Sequence, residues 1–107
     1  MSHSTNSAVK SVRPRSGELV TLIQTLVAAG QGSFHKAGEH LRVPASTMSR
    51  RVSGLETLIG VKLFDRHRHG IRPTAAGAVF LEQVRRILDE LNIALVNAAT
   101  IAQGKIG

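Results

Sequence analysis

Residues 43–60 read VPASTMSRRVSGLETLIG, and the periodicity of this stretch decides the fold. Met48, Val52, Leu55 and Ile59 recur at the spacing of one helical face, while Ser46, Arg50, Ser53 and Thr57 fall on the opposite face. Pro44 suits the start of such a helix, because the N–H it lacks would be unpaired there in any case. The helix therefore buries an apolar stripe and displays an arginine among small hydroxyls.

Upstream, Leu19, Leu22, Ile23 and Leu26 form an apolar stripe that begins near Glu18 and is expected to stop at AAGQG, residues 28–32. Ser33 is a good N-cap for a short helix reaching to about Leu41, with Phe34, Ala37 and Leu41 on its inner face and Gly38 as a point of close packing. RVP, residues 42–44, turns the chain into the third helix. Downstream, VKLFDR and GIRP are short extended runs around the polar tip HRH and Gly70, which reads as a β-hairpin with Leu63, Phe64 and Ile71 facing a core. Thr74 then caps a long helix in which Leu81, Val84, Leu88, Leu91, Leu95, Ala98 and Ala102 step by three and four alternately. That alternation is a heptad seam, and Phe80, Ile87, Ala94 and Ile101 widen it on one flank. A seam of this length overhangs so small a head and wants a partner helix.

Charge says what the head faces. The 14 Lys and Arg outnumber the 7 Asp and Glu, for a net charge of +7. Through Arg72 there are eleven basic and four acidic residues, whereas from Pro73 onward Arg85, Arg86 and Lys105 cancel Glu82, Asp89 and Glu90. The whole excess lies in the first two-thirds, as in a polyanion-binding head joined to a neutral helix. The 107 residues allow one small core, and the absence of cysteine excludes disulfides, thiolate metal sites and cysteine nucleophiles. No apolar run approaches a membrane span, and the polar first residues lack a signal peptide's apolar core. A cytoplasmic, nucleoid-associated protein is expected. His67 and His69 form an H-x-H pair, with His35 and His40 elsewhere, but no third ligand is placed to complete a metal site. No nucleophile has an evident base and no glycine loop cradles phosphate, so an enzyme is not expected.

Helix, helix, tight turn, helix, hairpin is the order of a winged helix-turn-helix. The expected fold is mainly α: three helices plus a β-hairpin wing, followed by a long linker or dimerisation helix. In a major groove, arginine can meet a guanine edge and Ser or Thr a phosphate or base, and an inserted helix brings its first turns nearest the bases. That gives the outward Arg50 a role.

The run GSFHKAGEHLRVPASTMSRRVSGLETLIGVKLFDR, followed by GIRPTAAG, resembles the DNA-binding domain and linker helix of a LysR-type transcriptional regulator. The likeness covers residues 18 to 107 and rests on Gly32-Ser33-Phe34, Ala37, Leu41, Ser49, Leu55-Glu56, Gly60, Leu63-Phe64, Arg66, Thr74 and Gly77. It implies a transcription factor that binds double-stranded DNA as a homodimer. Its linker helices would pair antiparallel through Leu81, Val84, Leu88, Leu91 and Leu95, placing two recognition helices on an interrupted palindrome. The family's base and phosphate readers carry over to Ala45, Ser46, Thr47, Ser49 and Arg50, and its wing contacts to Arg66 through Arg72, including Arg68. Ser33, Arg51 and Ser53 complete the set expected at DNA. Ala45 stands where many members have Gln, Pro44 replaces a common Ser or Thr cap, Gly38 replaces a usual Ala, and the first helix lacks its customary aromatic residue. These departures prevent transfer of a relative's operator sequence but leave the fold reading intact.

The first residues, rich in Ser and basic groups, read as a basic disordered arm at 1–16, and the rest divides into the winged head at 17–73, the linker helix at 74–103, and the start of a hinge at 104–107. The family's effector domain would follow that hinge. No cofactor is expected in this chain, since a small-molecule effector would bind that further domain, and oligomers above the dimer would need the full-length protein. Two other readings stay open. One is an architectural protein that binds DNA through charge with little base readout. The other is a truncated chain that sequesters full-length partners through the same seam.

Overall fold

The computed structural model describes residues 16–104 of the chain. Four helices and a hairpin follow in order: α1 Ser16–Gln31, α2 Phe34–Leu41, α3 Ala45–Ile59, β1 Phe64–His67, β2 Gly70–Pro73 and α4 Ala75–Ala102. The two strands are antiparallel, with Phe64 opposite Pro73 and His67 opposite Gly70. This is the expected winged helix-turn-helix followed by a long helix. Residues 1–15 of the expected arm lie outside the described residues, and Ser16 opens α1.

Local rules placed the boundaries where short side chains act on nearby backbone. Ser33 caps α2 by accepting from the Lys36 N–H at 3.1 Å, and Thr74 caps α4 by accepting from the Gly77 N–H at 2.9 Å. Gly60 ends α3 with φ 72°, a left-handed conformation that suits glycine. The first helix ends within the expected AAGQG: it runs through Ala28, Ala29 and Gly30 to Gln31 and stops at Gly32, the residue that takes positive φ. The hairpin is tighter than expected, since His67 pairs within the ladder and the tip is reduced to Arg68 and His69.

Ala28, Ala37, Met48, Val52, Leu55, Leu63, Phe64, Ile71 and Leu81 form one buried cluster. Phe64, Met48, Leu63 and Val52 are its largest fully buried side chains, each contributing about 1.5–3 kcal/mol by leaving water. The expected inner face of α2 is observed, with Ala37 buried and Phe34 and Leu41 packed on the cluster.

The inner face of α1 is only half the expected stripe: Leu22 and Leu26 pack against the core cluster. Thr21, Gln24, Thr25 and Ala28 are buried, whereas Leu19 and Ile23 are exposed. The polar residues can enter because their groups are bonded. The Thr25 hydroxyl donates to Thr21 O at 2.6 Å, and Gln24 Oε1 accepts from Arg51.

Two backbone contacts fix the wing at its ends, and a third close approach packs α2 on the turn before α3. The Ile71 N–H donates to Gly32 O and the Thr74 N–H to Leu63 O, both at 2.9 Å. Gly38 sits so close to the turn before α3 that a Cβ there would stand 2.3 Å from Val43 O, the close packing expected of it. The wing is therefore fixed to the α1–α2 turn at one end and to the start of α4 at the other.

Candidate nucleic-acid interface

The exposed side of α3 carries Ser46, Arg50 and Ser53, with Ala45, Thr47 and Ser49 half-buried at its margins. Pro44 stands immediately before the helix, and its carbonyl accepts from the Thr47 and Met48 N–H groups at 3.0 and 3.1 Å. This orders the first turn without a capping side chain. Arg50 makes no hydrogen bond or ion pair among the described residues. An arginine with five donors and no partner is free to engage a ligand. On the hairpin, Arg68 at the tip and Arg72 on β2 are exposed, with Arg72 facing Asp65 across the ladder. His67 Nδ1 accepts from the His69 N–H at 3.3 Å, which orders the tip.

Five residues grouped with the DNA face also bond within the protein. Arg51 Nη1 donates to Gln24 Oε1 at 2.8 Å, so it turns toward α1 and locks the third helix to the first. The Ser33 hydroxyl oxygen is occupied by the backbone of its own helix. Arg66 turns inward from the wing. It donates through Nη1 to Ser49 Oγ and through Nη2 to Ser53 Oγ at 2.9 Å, with its guanidinium carbon 5.0 Å from the centre of the Phe34 ring. Ser49 and Ser53 are thereby both part of an internal clasp.

Glu56 anchors that clasp, and the sequence reading assigned it no role. Its Oε2 accepts from the buried Leu63 and Phe64 N–H groups at 2.8 and 3.2 Å, and its Oε1 lies 3.8 Å from Arg66 Nη2. A buried carboxyl needs such partners, because burying it alone is costly. One signal was available: on a helical wheel Glu56 falls among Val52, Leu55 and Ile59, on the apolar side.

The seam of α4 divides in two. Leu81 and Val84 are buried within this chain, Leu81 in the core cluster. Leu88 is half-buried, while Leu91 and Leu95 are 46% and 62% exposed. Only the outer part of the seam is open to a partner. The charges along α4 pair among themselves: Arg85 bonds Glu82 and Asp89, and Arg86 bonds Glu82. Hydrogen bonds from Arg85 above all hold the Glu82 carboxyl below its usual range. The unpaired positive charge therefore stays on the head, beside Arg50, Arg68 and Arg72.

A three-helix core, an outward polar helix and a basic two-stranded wing define a winged helix-turn-helix protein. The chain matches the model for bacterial regulatory helix-turn-helix proteins of the lysR family over residues 21–78, and it belongs to that family. It is 34% identical over 82 residues to the HTH-type transcriptional regulator ClcR of Pseudomonas putida, covering 77% of this chain and 28% of ClcR. The chain thus spans less than a third of that relative's length. Among solved structures it is similar to the DNA-binding domain of CbnR in complex with DNA, with a TM-score of 0.73 and 32% identity over 78% of this chain and 97% of that one. The BenM DNA-binding domain in complex with a catB site has the same fold, with a TM-score of 0.76 and 24% identity, covering 80% of this chain and 92% of that one. Among the described residues, no helix is long and apolar enough to cross a membrane.

Proposed function

We propose that this chain is a sequence-specific DNA-binding unit of a transcriptional regulator, acting in the cytoplasm as a binding protein rather than an enzyme. It lays α3 in the major groove and the wing along the neighbouring backbone. A homodimer through the outer part of α4 sets two such heads on an interrupted palindrome of double-stranded DNA. Arg50, Ser46, Thr47 and Ser49 read bases or nearby phosphates, and Arg68 and Arg72 supply attraction to the backbone. The observation that carries this reading is the partner-free Arg50, displayed among hydroxyls on a helix whose other face is buried. The similar CbnR and BenM domains were solved bound to DNA, which supports it.

The architectural alternative needs charge but no base reader, so two arginines separate the readings. On the duplex enriched from a random pool, Arg50→Ala is expected to cost about 1–3 kcal/mol and to relax preference at one base position. Its loss on random duplex should be smaller. Arg68→Ala should weaken both duplexes alike and reduce the slope of log affinity against log salt by about one contact. Salt titration of both variants on both duplexes is the measurement. Equal losses with a shallower slope for Arg50→Ala would make Arg50 a phosphate anchor, and failure of the pool to enrich any site would favour the architectural reading.

A further inference from the structure

A serine hydroxyl on a recognition helix is an ambiguous reader. It carries one proton to donate and two lone pairs with which to accept, so Ser49 or Ser53 alone could face either a donor or an acceptor on DNA. The surroundings of Arg66 narrow that ambiguity, because one lone pair of each oxygen is taken and the guanidinium charge beside it disfavours a second donor. A guanidinium only donates, so both serine oxygens are acceptors within the protein. Each hydroxyl proton is turned away from Arg66. It is not returned to the helix either. Thr25 and Thr100 donate to carbonyls four residues earlier, at 2.6 and 2.8 Å, but among the described residues Ser49 and Ser53 make no such bond.

The donor is itself held from two sides. The Phe34 ring lies under the guanidinium carbon at 5.0 Å and meets Phe64 edge-on at 6.1 Å, so the platform is part of the core. Behind it stands the Glu56 carboxyl, fixed by two backbone N–H groups. Arg66 is therefore braced on the wing and pointed at the helix.

We infer that Arg66 is a positioning residue that biases the Ser49 and Ser53 hydroxyls toward donating, so that this side of α3 favours hydrogen-bond acceptors on DNA over amino groups. The acceptors are phosphate oxygens or, on base edges, purine N7, guanine O6 and thymine O4; the disfavoured donors are the amino groups of adenine and cytosine. The inference rests on the reading that α3 enters the major groove.

The test uses the whole chain on its enriched duplex, with parent, Ser49→Ala, Arg66→Met and Arg66→Lys measured by anisotropy. Acceptors are removed one at a time, base N7 by 7-deazapurines and phosphate charge by methylphosphonates, and each base pair is also replaced in turn. In the parent, one acceptor deletion or one amino-bearing replacement is expected to weaken binding about five- to tenfold, the worth of one hydrogen bond. Ser49→Ala should reduce that sensitivity to about twofold or less, which assigns the contact. Arg66→Met keeps an apolar stem over Phe34 but cannot donate, and it should reduce the same sensitivity to a similar extent by freeing the hydroxyl to accept. Arg66→Lys, still a donor, should restore part of it. Sensitivity confined to methylphosphonates would locate the acceptor on the backbone, and sensitivity to base replacement would locate it in the groove.

Full discrimination retained by a folded Arg66→Met would overturn the inference. So would an equal loss on all duplexes with a shallower salt slope, since Arg66 would then be a phosphate contact. Should Arg66→Met fail to fold, nitrogen-15 spectra of the free parent decide the matter. One guanidinium is expected to show resolved, slowly rotating Nη groups that disappear when Ser49 and Ser53 are both replaced by Ala, and their absence from the parent would overturn the clasp. An Arg50→Ala variant with unchanged base preference would instead count against the groove reading itself.

Discussion

Gly77→Ala is expected to cost the head about 3 kcal/mol, through a clash that the backbone cannot relieve, and to lower its melting temperature by about 15 °C. Gly77 lies in the first turn of α4, beneath Leu63, the residue just before the wing. A Cβ at this position would stand 2.1 Å from Leu63 O, 2.8 Å from its carbonyl carbon and 3.0 Å from its Cα. All three are backbone atoms of a residue that is fully buried. The same carbonyl accepts the Thr74 N–H at 2.9 Å, and the Leu63 N–H is bonded to Glu56 at 2.8 Å. Moving Leu63 aside would therefore break bonds in two directions and loosen the wing from α4. Gly54 is the control. It lies mid-way along α3 with nothing within 4 Å of a Cβ, so Gly54→Ala should raise stability by about 1 kcal/mol through helix propensity alone. Urea and thermal melts of both variants check the pair. If Gly77→Ala melted within about 3 °C of the parent, a change worth well under 1 kcal/mol, the close approach would carry no structural weight.

The contrast between these glycines bears on what was legible in the sequence. Ser33, Thr74 and Gly60 could be read because their partners lie within four residues on the same helix, and a local rule names both ends of the bond. The apolar face of α3 was legible for the same reason, since the 3.6-residue period is local. Contacts between elements were not. Glu56 bonds backbone seven and eight residues away, and no spacing rule connects a helix carboxyl to the entry of a strand. Arg66 looked like a wing cation among cations, and only the fold shows that its side of the ladder faces Ser49, Ser53 and Phe34. In α1 the leucine period pointed to one face, but Leu22 and Leu26 sit only at its margin and packing buried Thr21, Gln24 and Thr25 in place of Leu19 and Ile23. Hydrogen bonds satisfied the polar groups, and Thr25 and Ala28 could approach α2 and α3 more closely than leucines could.

The heptad seam shows the same limit from another side. Periodicity treats Leu81 and Leu95 as equivalent, because each occupies the same stripe. What distinguishes them is where α4 leaves the head. That happens after Val84, the last buried position of the helix. Leu81 and Val84, expected to meet a partner, complete this chain's own core instead. Beyond them the helix exposes Ile87 at 65%, Leu91 at 46%, Leu95 at 62% and Ile101 at 59%.

Replacing Leu88 and Leu95 together by Glu is expected to abolish the proposed dimer, raising its dissociation constant by about a thousandfold or more, since unpaired charge in an apolar seam costs several kcal/mol. With 28 residues, α4 extends about 42 Å at 1.5 Å per residue, far beyond the turns that the head covers. Burying the outer leucines against a second copy would gain about 1.5–3 kcal/mol for each side chain fully removed from water. Neither substituted residue belongs to the core cluster or packs against it, and Glu is a good helix former. The melting temperature of the head should therefore stay near that of the parent. Sedimentation should show a monomer at concentrations where the parent is a dimer. Affinity for a duplex with two half-sites should fall to that for one half-site, because the second head no longer arrives with the first. A dimer unchanged by the substitutions would move the interface to another exposed apolar face, such as Leu19, Val20 and Ile23 on α1, and Ile23→Glu would then become the disruptive change. A head that melted early would mean that the outer seam folds back on its own domain. Because both charges lie past the last buried turn, lost DNA affinity with an unchanged melting curve separates the loss of a partner from the loss of a fold.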